Sequence, residues 1–167
     1  LIYRGKMKKL SILLISLLAF GAELKAGNQS IDELLDGFHS AAANSDFDAY
    51  FAHFSSNGHF LGTDAAERWS VEEFKNYARP AFSAGRGWRY RVLCRNLVAV
   101  SGLEFVWFDE ILTNVSLGKC RGTGVIVQEN GKWKIAYYSL TLLIPNEIAG
   151  SVGAQSMQVD TLVTPLP

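Results

Sequence analysis

Two groups of residues in this chain have the types and spacing to do chemistry. The first lies in GTDAAERWSVEEF, residues 62–74, which sets Thr63, Asp64, Glu67 and Trp69 within seven positions, just after the apolar run His59-Phe60-Leu61. A carboxylate at the lip of an apolar pocket can take up and return a proton, because burial raises its pKa towards neutrality. The same residues also serve a plainer need. Asp64 and Glu67 stand at capping-box spacing, where the first side chain accepts from the N3 amide and the N3 carboxylate returns to the N-cap amide. That spacing predicts a one-turn helix with Trp69 as its apolar anchor.

The second group is Glu110, Arg121 and Tyr138. Asn130-Gly131 is the strongest hairpin signal in the chain, and a two-residue loop there pairs Glu129 with Lys132. Gln128 then faces Trp133, Ile126 faces Ile135, Gly124 faces Tyr137 and Gly122 faces Ser139. The other face pairs Val125 with Ala136, Thr123 with Tyr138 and Arg121 with Leu140. This register sets Arg121 and Tyr138 together, opposite the two glycines, which themselves signal bending or room above the sheet. The Ser116-Leu117-Gly118 turn admits more than one length, so either Glu110 or Asp109 shares the face of Arg121. With a two-residue turn it is Glu110. A carboxylate, an arginine and a tyrosine over an apolar face suit the polar end of a small ligand. A buried Glu110–Arg121 pair could equally satisfy only itself, since buried charges are usually paired.

The elements that must position these residues are legible. Ser30-Ile31-Asp32-Glu33 is a capping box, followed by Ile31, Leu34, Leu35 and Phe38 at helical spacing up to about Asn44. A second helix starts at Ser45 or Asp46 and carries Phe47, Tyr50, Phe51 and Phe54 on one face. Asn57-Gly58 predicts a turn into a strand from His59 to Gly62. Ser70 and Glu73 box a third helix, expected to stop or kink at Pro80. Strands follow over Trp88–Val100, Phe105–Val115, Lys119–Gln128 and Trp133–Leu143, with a turn at Ser101-Gly102. Three helices and then four antiparallel strands predict an α+β domain with helices on one face of a strongly bent sheet. The tail over 150–167 lacks periodicity and is expected to be flexible.

Residues 1–6 precede Met7 and look like upstream read-through. Residues 7–26 read as a secretory signal peptide, with two lysines, a continuous apolar run from Leu10 to Phe20 and a cleavage site before Gly27. The run is too short to span a bilayer, which takes about twenty residues. A periplasmic or secreted domain over 27–149, free of the membrane after cleavage, is expected. The whole chain has 16 basic and 16 acidic residues; residues 27–167 keep 11 and 15 of them, an acidic balance that offers no argument for nucleic acid. Arg79, Arg86, Arg89, Arg91 and Arg95 form a local basic patch, expected to be a solvated strand face. Cys94 and Cys120 fall on strands separated by a third. Next-nearest strands lie about 10 Å apart, beyond a disulfide's reach, so two buried thiols are expected.

No P-loop, GxGxxG, CxxC or G-x-S-x-G motif occurs, and no cofactor is expected. His39, His53 and His59 lack the i, i+4 spacing of a helix-borne metal pair, and no metal is expected.

The segments FLGTDAAERWSVEEFKNYA, VWFDEIL, KCRGTGVIV and WKIAYYSLTLLIPN, within residues 30 to 146, resemble the nuclear transport factor 2-like superfamily, and more specifically a secreted bacterial member of its SnoaL-like branch. The resemblance implies a conical α+β barrel with an internal pocket, commonly a homodimer through the sheet. Relatives include ketosteroid-isomerase-like and polyketide-cyclase-like enzymes, dehydratases and non-catalytic proteins. The enzymes use an aspartate base, commonly with a histidine or tyrosine. Asp64, Glu110 and Tyr138 stand in plausible places, with Glu110, Arg121, Tyr138 and Trp69 as pocket candidates, but no catalytic dyad aligns. The leading expectation is a domain that binds a small apolar or aromatic molecule or acts as a dimeric interaction module. The rival is a cofactor-independent isomerase, cyclase or dehydratase with a pocket carboxylate as base.

Overall fold

Both long helices begin where the capping boxes put them. The structure is a computed structural model that describes residues 30–99 and 104–159. The expected signal segment, its cleavage point, the Ser101-Gly102 turn and the end of the tail lie outside the described residues. In α1 (Ile31–Ala43) the Ser30 amide donates to Glu33 at 2.7 Å and the Glu33 amide donates to the Ser30 hydroxyl at 3.2 Å. Its buried stripe is Ile31, Leu34, Leu35, Phe38, His39, Ala41 and Ala42, a helical period interrupted by one imidazole. After α2 (Phe47–Ala52), the box at Ser70 and Glu73 starts α3 (Val71–Ser83). This helix does not stop at Pro80. Val71, Phe74, Ala78 and Phe82 form one buried face that continues past the proline, which itself is exposed, so packing outweighs the lost backbone bond.

Six strands form one open sheet in the order β2-β1-β6-β5-β4-β3. They are β1 (Phe54–Leu61), β2 (Arg68–Ser70), β3 (Arg91–Ala99), β4 (Phe105–Asn114), β5 (Gly118–Glu129) and β6 (Lys132–Leu142). The expected antiparallel run β3 to β6 is present. Beyond it, β1 lies parallel to β6 and forms a hairpin with β2, a short strand not expected from the sequence. Asn57-Gly58 is not a turn. It lies inside β1, where the pairing with β6 shifts between Phe54 and His59, so these residues serve an irregularity in the strand. Nor do residues 64–67 make a one-turn helix. They form the turn of the β1–β2 hairpin, in which the Glu67 amide donates to the Asp64 carbonyl at 3.0 Å. The start of the expected tail is a fourth helix, α4 (Asn146–Ser156), with no buried residue.

α1, α2 and α3 cover the inner face of the sheet, and the core between them is largely aromatic. Phe38 stacks on Tyr50 at 4.7 Å between ring centroids, and Phe60 lies between Phe74 at 4.0 Å and Tyr138 at 5.6 Å. Cys94 and Cys120 are both free thiols on β3 and β5, with β4 between them. Cys120 is buried as expected, but Cys94 is on the exposed outer face.

Candidate functional site

One residue of β6 decides which side chains meet. The β5–β6 register runs as expected from Glu129–Lys132 to Ile126–Ile135 and then slips, so that Val125 pairs with Tyr137 and Ala136 is the extra residue of a bulge. A one-residue slip moves every later side chain to the other face. Gly124 therefore faces Tyr138 and Gly122 faces Leu140. Tyr138 shares the inner face with the glycines, the reverse of the expected arrangement. A Cβ on Gly122 would overlap the Tyr138 hydroxyl, so the glycine makes the room in which the phenol reaches inward.

β4 and β5 are joined through Asn114–Gly118, three residues rather than two intervening, which sets Ile111 opposite Arg121 and Glu110 opposite Gly122. Arg121 is exposed on the outer face and meets neither Glu110 nor Tyr138. The expected Glu110–Arg121 pair is replaced by a different set of partners. Glu110 is 0 % exposed. Its Oε1 accepts from the Tyr138 hydroxyl at 3.0 Å and lies 2.6 Å from His39 Nε2. Its Oε2 accepts from Arg95 Nε at 3.0 Å. Arg95 also reaches the carboxylates of Asp32 at 2.9 Å and Asp36 at 3.0 Å on α1. Its remaining nitrogen, Nη2, is buried with no hydrogen-bond partner among the described residues. Arg95 is thus not part of a solvated basic face, in contrast to the exposed Arg86, Arg89 and Arg91.

The charge states follow from these contacts. Burial alone would raise the Glu110 carboxyl. The hydrogen bond and charge of His39, then Arg95, outweigh it and hold the group below the usual carboxylate range. Burial, then the Glu110 charge and hydrogen bond, push the Tyr138 phenol well above its ordinary value, so it stays a neutral donor. An ionised carboxylate only accepts, so His39 Nε2 carries the shared proton. Nδ1 makes no hydrogen bond among the described residues.

The open space lies beside this cluster. A pocket of about 170 Å³ has walls of Phe60, Trp69, Phe74, Tyr77, Trp88 and Tyr90, with Gly62, Thr63, Glu67, Leu117 and Leu140 completing it. A recess of only about 10 Å³ shares Phe60, Trp88, Tyr90 and Leu140 with it and adds His39 and Tyr138. That recess is at the lower limit for one water. Trp69 is thus one of the side chains lining the aromatic pocket. Asp64 does not line that pocket. It is exposed, its Oδ1 accepts from the Ala66 amide at 2.9 Å, and it borders an outer groove with Arg68 and Thr141.

His39 and Arg95 were missed by sequence reasoning, although each left a trace. His39 stands four residues after Leu35 on an otherwise apolar stripe, and Arg95 has the strand parity of the half-buried Leu97. Among the described residues no group of three His, Cys, Asp or Glu side chains could hold a metal ion.

The fold has solved counterparts. A protein of Nostoc punctiforme with a cystatin-like fold is similar over 70% of this chain and 90% of its own, at 20% identity and a TM-score of 0.56. A nuclear transport factor 2-like protein of Pseudomonas putida is similar over 82% of this chain and 94% of its own, at 11% identity and a TM-score of 0.58. A candidate scytalone dehydratase of Novosphingobium aromaticivorans is similar over 68% and 82%, at 10% identity and a TM-score of 0.57. At these identities the likeness carries the fold alone. No curated protein matches the chain. The family model described as a SnoaL-like domain matches residues 31–145, which cover α1 through β6 and every residue of the charged cluster. The chain belongs to the SnoaL-like family.

Proposed function

We propose that this protein binds a small, largely apolar or aromatic molecule between the β1–β2 hairpin, α3 and residues 88–90. The observation that carries this reading is the aromatic pocket itself: six rings around about 170 Å³, with few polar groups, is the composition expected of a small-molecule site. The test is ligand-observed NMR with phenol, benzyl alcohol and cyclohexanol as probes. Saturable binding of at least one probe is expected, weakened at least tenfold in Trp69→Ala. Absence of saturable binding by all three overturns the reading.

One observation favours a catalytic second reading. His39 lines the inner recess, its Nε2 is fixed by Glu110 at 2.6 Å and its Nδ1 makes no hydrogen bond among the described residues, so the neutral form of the ring would be an oriented general base. Glu110 is unsuited to that role, because it is sealed, doubly paired and held ionised. The dehydratase assignment of the Novosphingobium relative is consistent with proton-transfer chemistry in this fold. Deuterium exchange at the α-carbon of cyclohexanone in heavy water tests it. Acceleration by the protein and its loss in His39→Gln are expected; equal exchange with both proteins overturns it.

Two further parts of the proposal concern setting. Export with cleavage before Gly27 rests on the pattern of residues 7–26, and an intact mass that retains them overturns it. A homodimer through the outer sheet face rests on Trp107 and Val98, each 41% exposed, and Tyr137 at 37%. Trp107→Glu should leave a monomer by light scattering; a wild-type protein already monomeric at high concentration overturns it.

A further inference from the structure

The aromatic pocket has a sign as well as a shape. Among the described residues its only ionisable lining groups besides the phenols of Tyr77 and Tyr90 belong to Glu67, and no lysine, arginine or histidine lines it. Glu67 makes no ion pair among the described residues. Arg68, the next residue, stands on β2 beside Trp69 and borders the outer groove rather than the pocket, because successive strand side chains point to opposite faces.

The carboxylate is also held in place. Its Oε2 accepts from the Asp64 amide at 3.3 Å. Gly62 lies directly against it, where a Cβ would overlap Oε2, so the hairpin can fold the carboxylate inward only with a glycine at that position. The charge is felt on the pocket walls. Burial first, and then the charge of Glu67 and its hydrogen bond with the phenol, raise Tyr77, while burial, the neighbouring Cys120 and Glu67 push Tyr90 up to about 12. Around this charge stand stacked rings. Trp69 and Tyr77 stack at 4.4 Å between centroids, and Trp69 and Phe74 at 5.5 Å. A ring carries negative charge density on its faces, so a cation set over a ring face beside the carboxylate is attracted by both.

We propose that this pocket selects a small organic cation, an alkyl- or arylammonium, over a neutral or anionic molecule of the same shape, with Glu67 as the counter-charge. This deepens the small-molecule reading given above and rests on it. A neutral apolar ligand would gain only the contact with the rings. An anion would face Glu67 without compensation. The cationic head belongs beside Glu67, Trp69 and Tyr77 at the mouth, and the apolar remainder points towards Phe60 and Leu140.

The test compares three probes of one shape by isothermal titration: choline, its uncharged carbon isostere dimethylbutanol, and the anion pivalate. Choline should bind at least tenfold more tightly than dimethylbutanol, and pivalate more weakly than either. Glu67→Gln keeps the side-chain length and a carbonyl oxygen for the Asp64 amide. It should bring the choline-to-dimethylbutanol ratio to within about threefold of unity. Circular dichroism and a thermal melt establish that the variant is folded. Equal or tighter binding of dimethylbutanol by the wild type, an undiminished ratio in folded Glu67→Gln, or no saturable binding of choline each overturns the cation proposal. None of these outcomes touches the broader pocket reading, which is decided by the neutral aromatic probes and Trp69→Ala.

Discussion

The charged cluster at Glu110 and the pocket at Glu67 each set one carboxylate among aromatic rings, but with opposite accounts of water. Glu110 is fully buried and spends both oxygens on His39, Tyr138 and Arg95. Glu67 is half-buried, accepts from a backbone amide and from the Tyr77 phenol, pairs with no cation among the described residues, and looks into space large enough for a ligand. The comparison teaches that a buried carboxylate in an α+β cone is not by itself the functional one. A charge whose partners are all protein groups contributes to architecture. A charge held in place but left without a counter-ion is available to something else.

The largest expected effect breaks the first half of this comparison. Removing one member of a buried ionic set leaves the others uncompensated, which costs roughly 3–5 kcal/mol. Glu110→Ala should therefore cost about that much in urea unfolding, since it leaves His39, the Tyr138 hydroxyl and Arg95 Nε without their shared acceptor. The corresponding Glu67→Ala variant should cost under about 1 kcal/mol, the usual range for a surface substitution. A Glu110→Ala penalty as small as that of Glu67→Ala would show that the two sites do not differ as described.

Gly122→Ala comes next. The added methyl group needs the space of the Tyr138 hydroxyl, and overpacking of this kind costs roughly 1–3 kcal/mol. Tyr138→Phe in the Gly122→Ala background should recover part of that loss, because the clashing oxygen is gone. No recovery in the double variant would place the clash elsewhere, against the Glu110 Cγ for example, which is 3.1 Å from the added carbon.

These two variants also mark where the sequence stops being informative. The capping boxes, the Asn130-Gly131 turn and the strand sequence are local signals, and residues 30–43 and 126–135 follow them closely. The cluster depends on non-local events. The bulge at Ala136 has no signature in IAYYS; it forms where β6 must pair with β5 on one side and with the irregular β1 on the other. That single residue transfers Tyr138 from the face of Arg121 to the face of Glu110. Pairing of Arg95 with Asp32, Asp36 and Glu110 joins three segments far apart in the chain, and no spacing rule connects them. The pocket was more legible, because Gly62, Thr63, Glu67 and Trp69 are close neighbours in one hairpin. Even there the elements were misjudged, since capping-box residues also suit a tight hairpin turn.

Acid should separate the two carboxylates further, by a smaller effect. The folded-state pKa of Glu110 is depressed, so the unfolded chain takes up a proton first as the pH falls. The stability contributed by this group is fully present above the unfolded value of about 4.3 and is lost as the pH drops through the lower folded value. The wild type should thus weaken more steeply than Glu110→Gln between about pH 5 and about pH 3 in urea midpoints. Parallel pH profiles for the two proteins would mean that the carboxylate gains nothing from His39 and Arg95.

The smallest effect concerns two neighbours in the β1–β2 turn. Asp64 is exposed and its Oδ1 accepts from the Ala66 amide, while the Glu67 carboxylate accepts from the amide of Asp64. An asparagine oxygen can replace the aspartate oxygen in such a turn, whereas alanine cannot. Asp64→Asn should therefore be nearly silent in a thermal melt, and Asp64→Ala should cost about 0.5–1 kcal/mol. Neither variant should alter probe binding much, because Asp64 borders the outer groove and its amide, which holds Glu67, is retained in both. Glu67→Gln has the reverse profile, with little change in melting and a changed preference between charged and neutral probes. If Asp64→Asn instead weakened choline binding as strongly as Glu67→Gln, the negative field at the pocket would belong to the turn as a whole. Glu67 would then lose its separate standing as the group that faces the ligand.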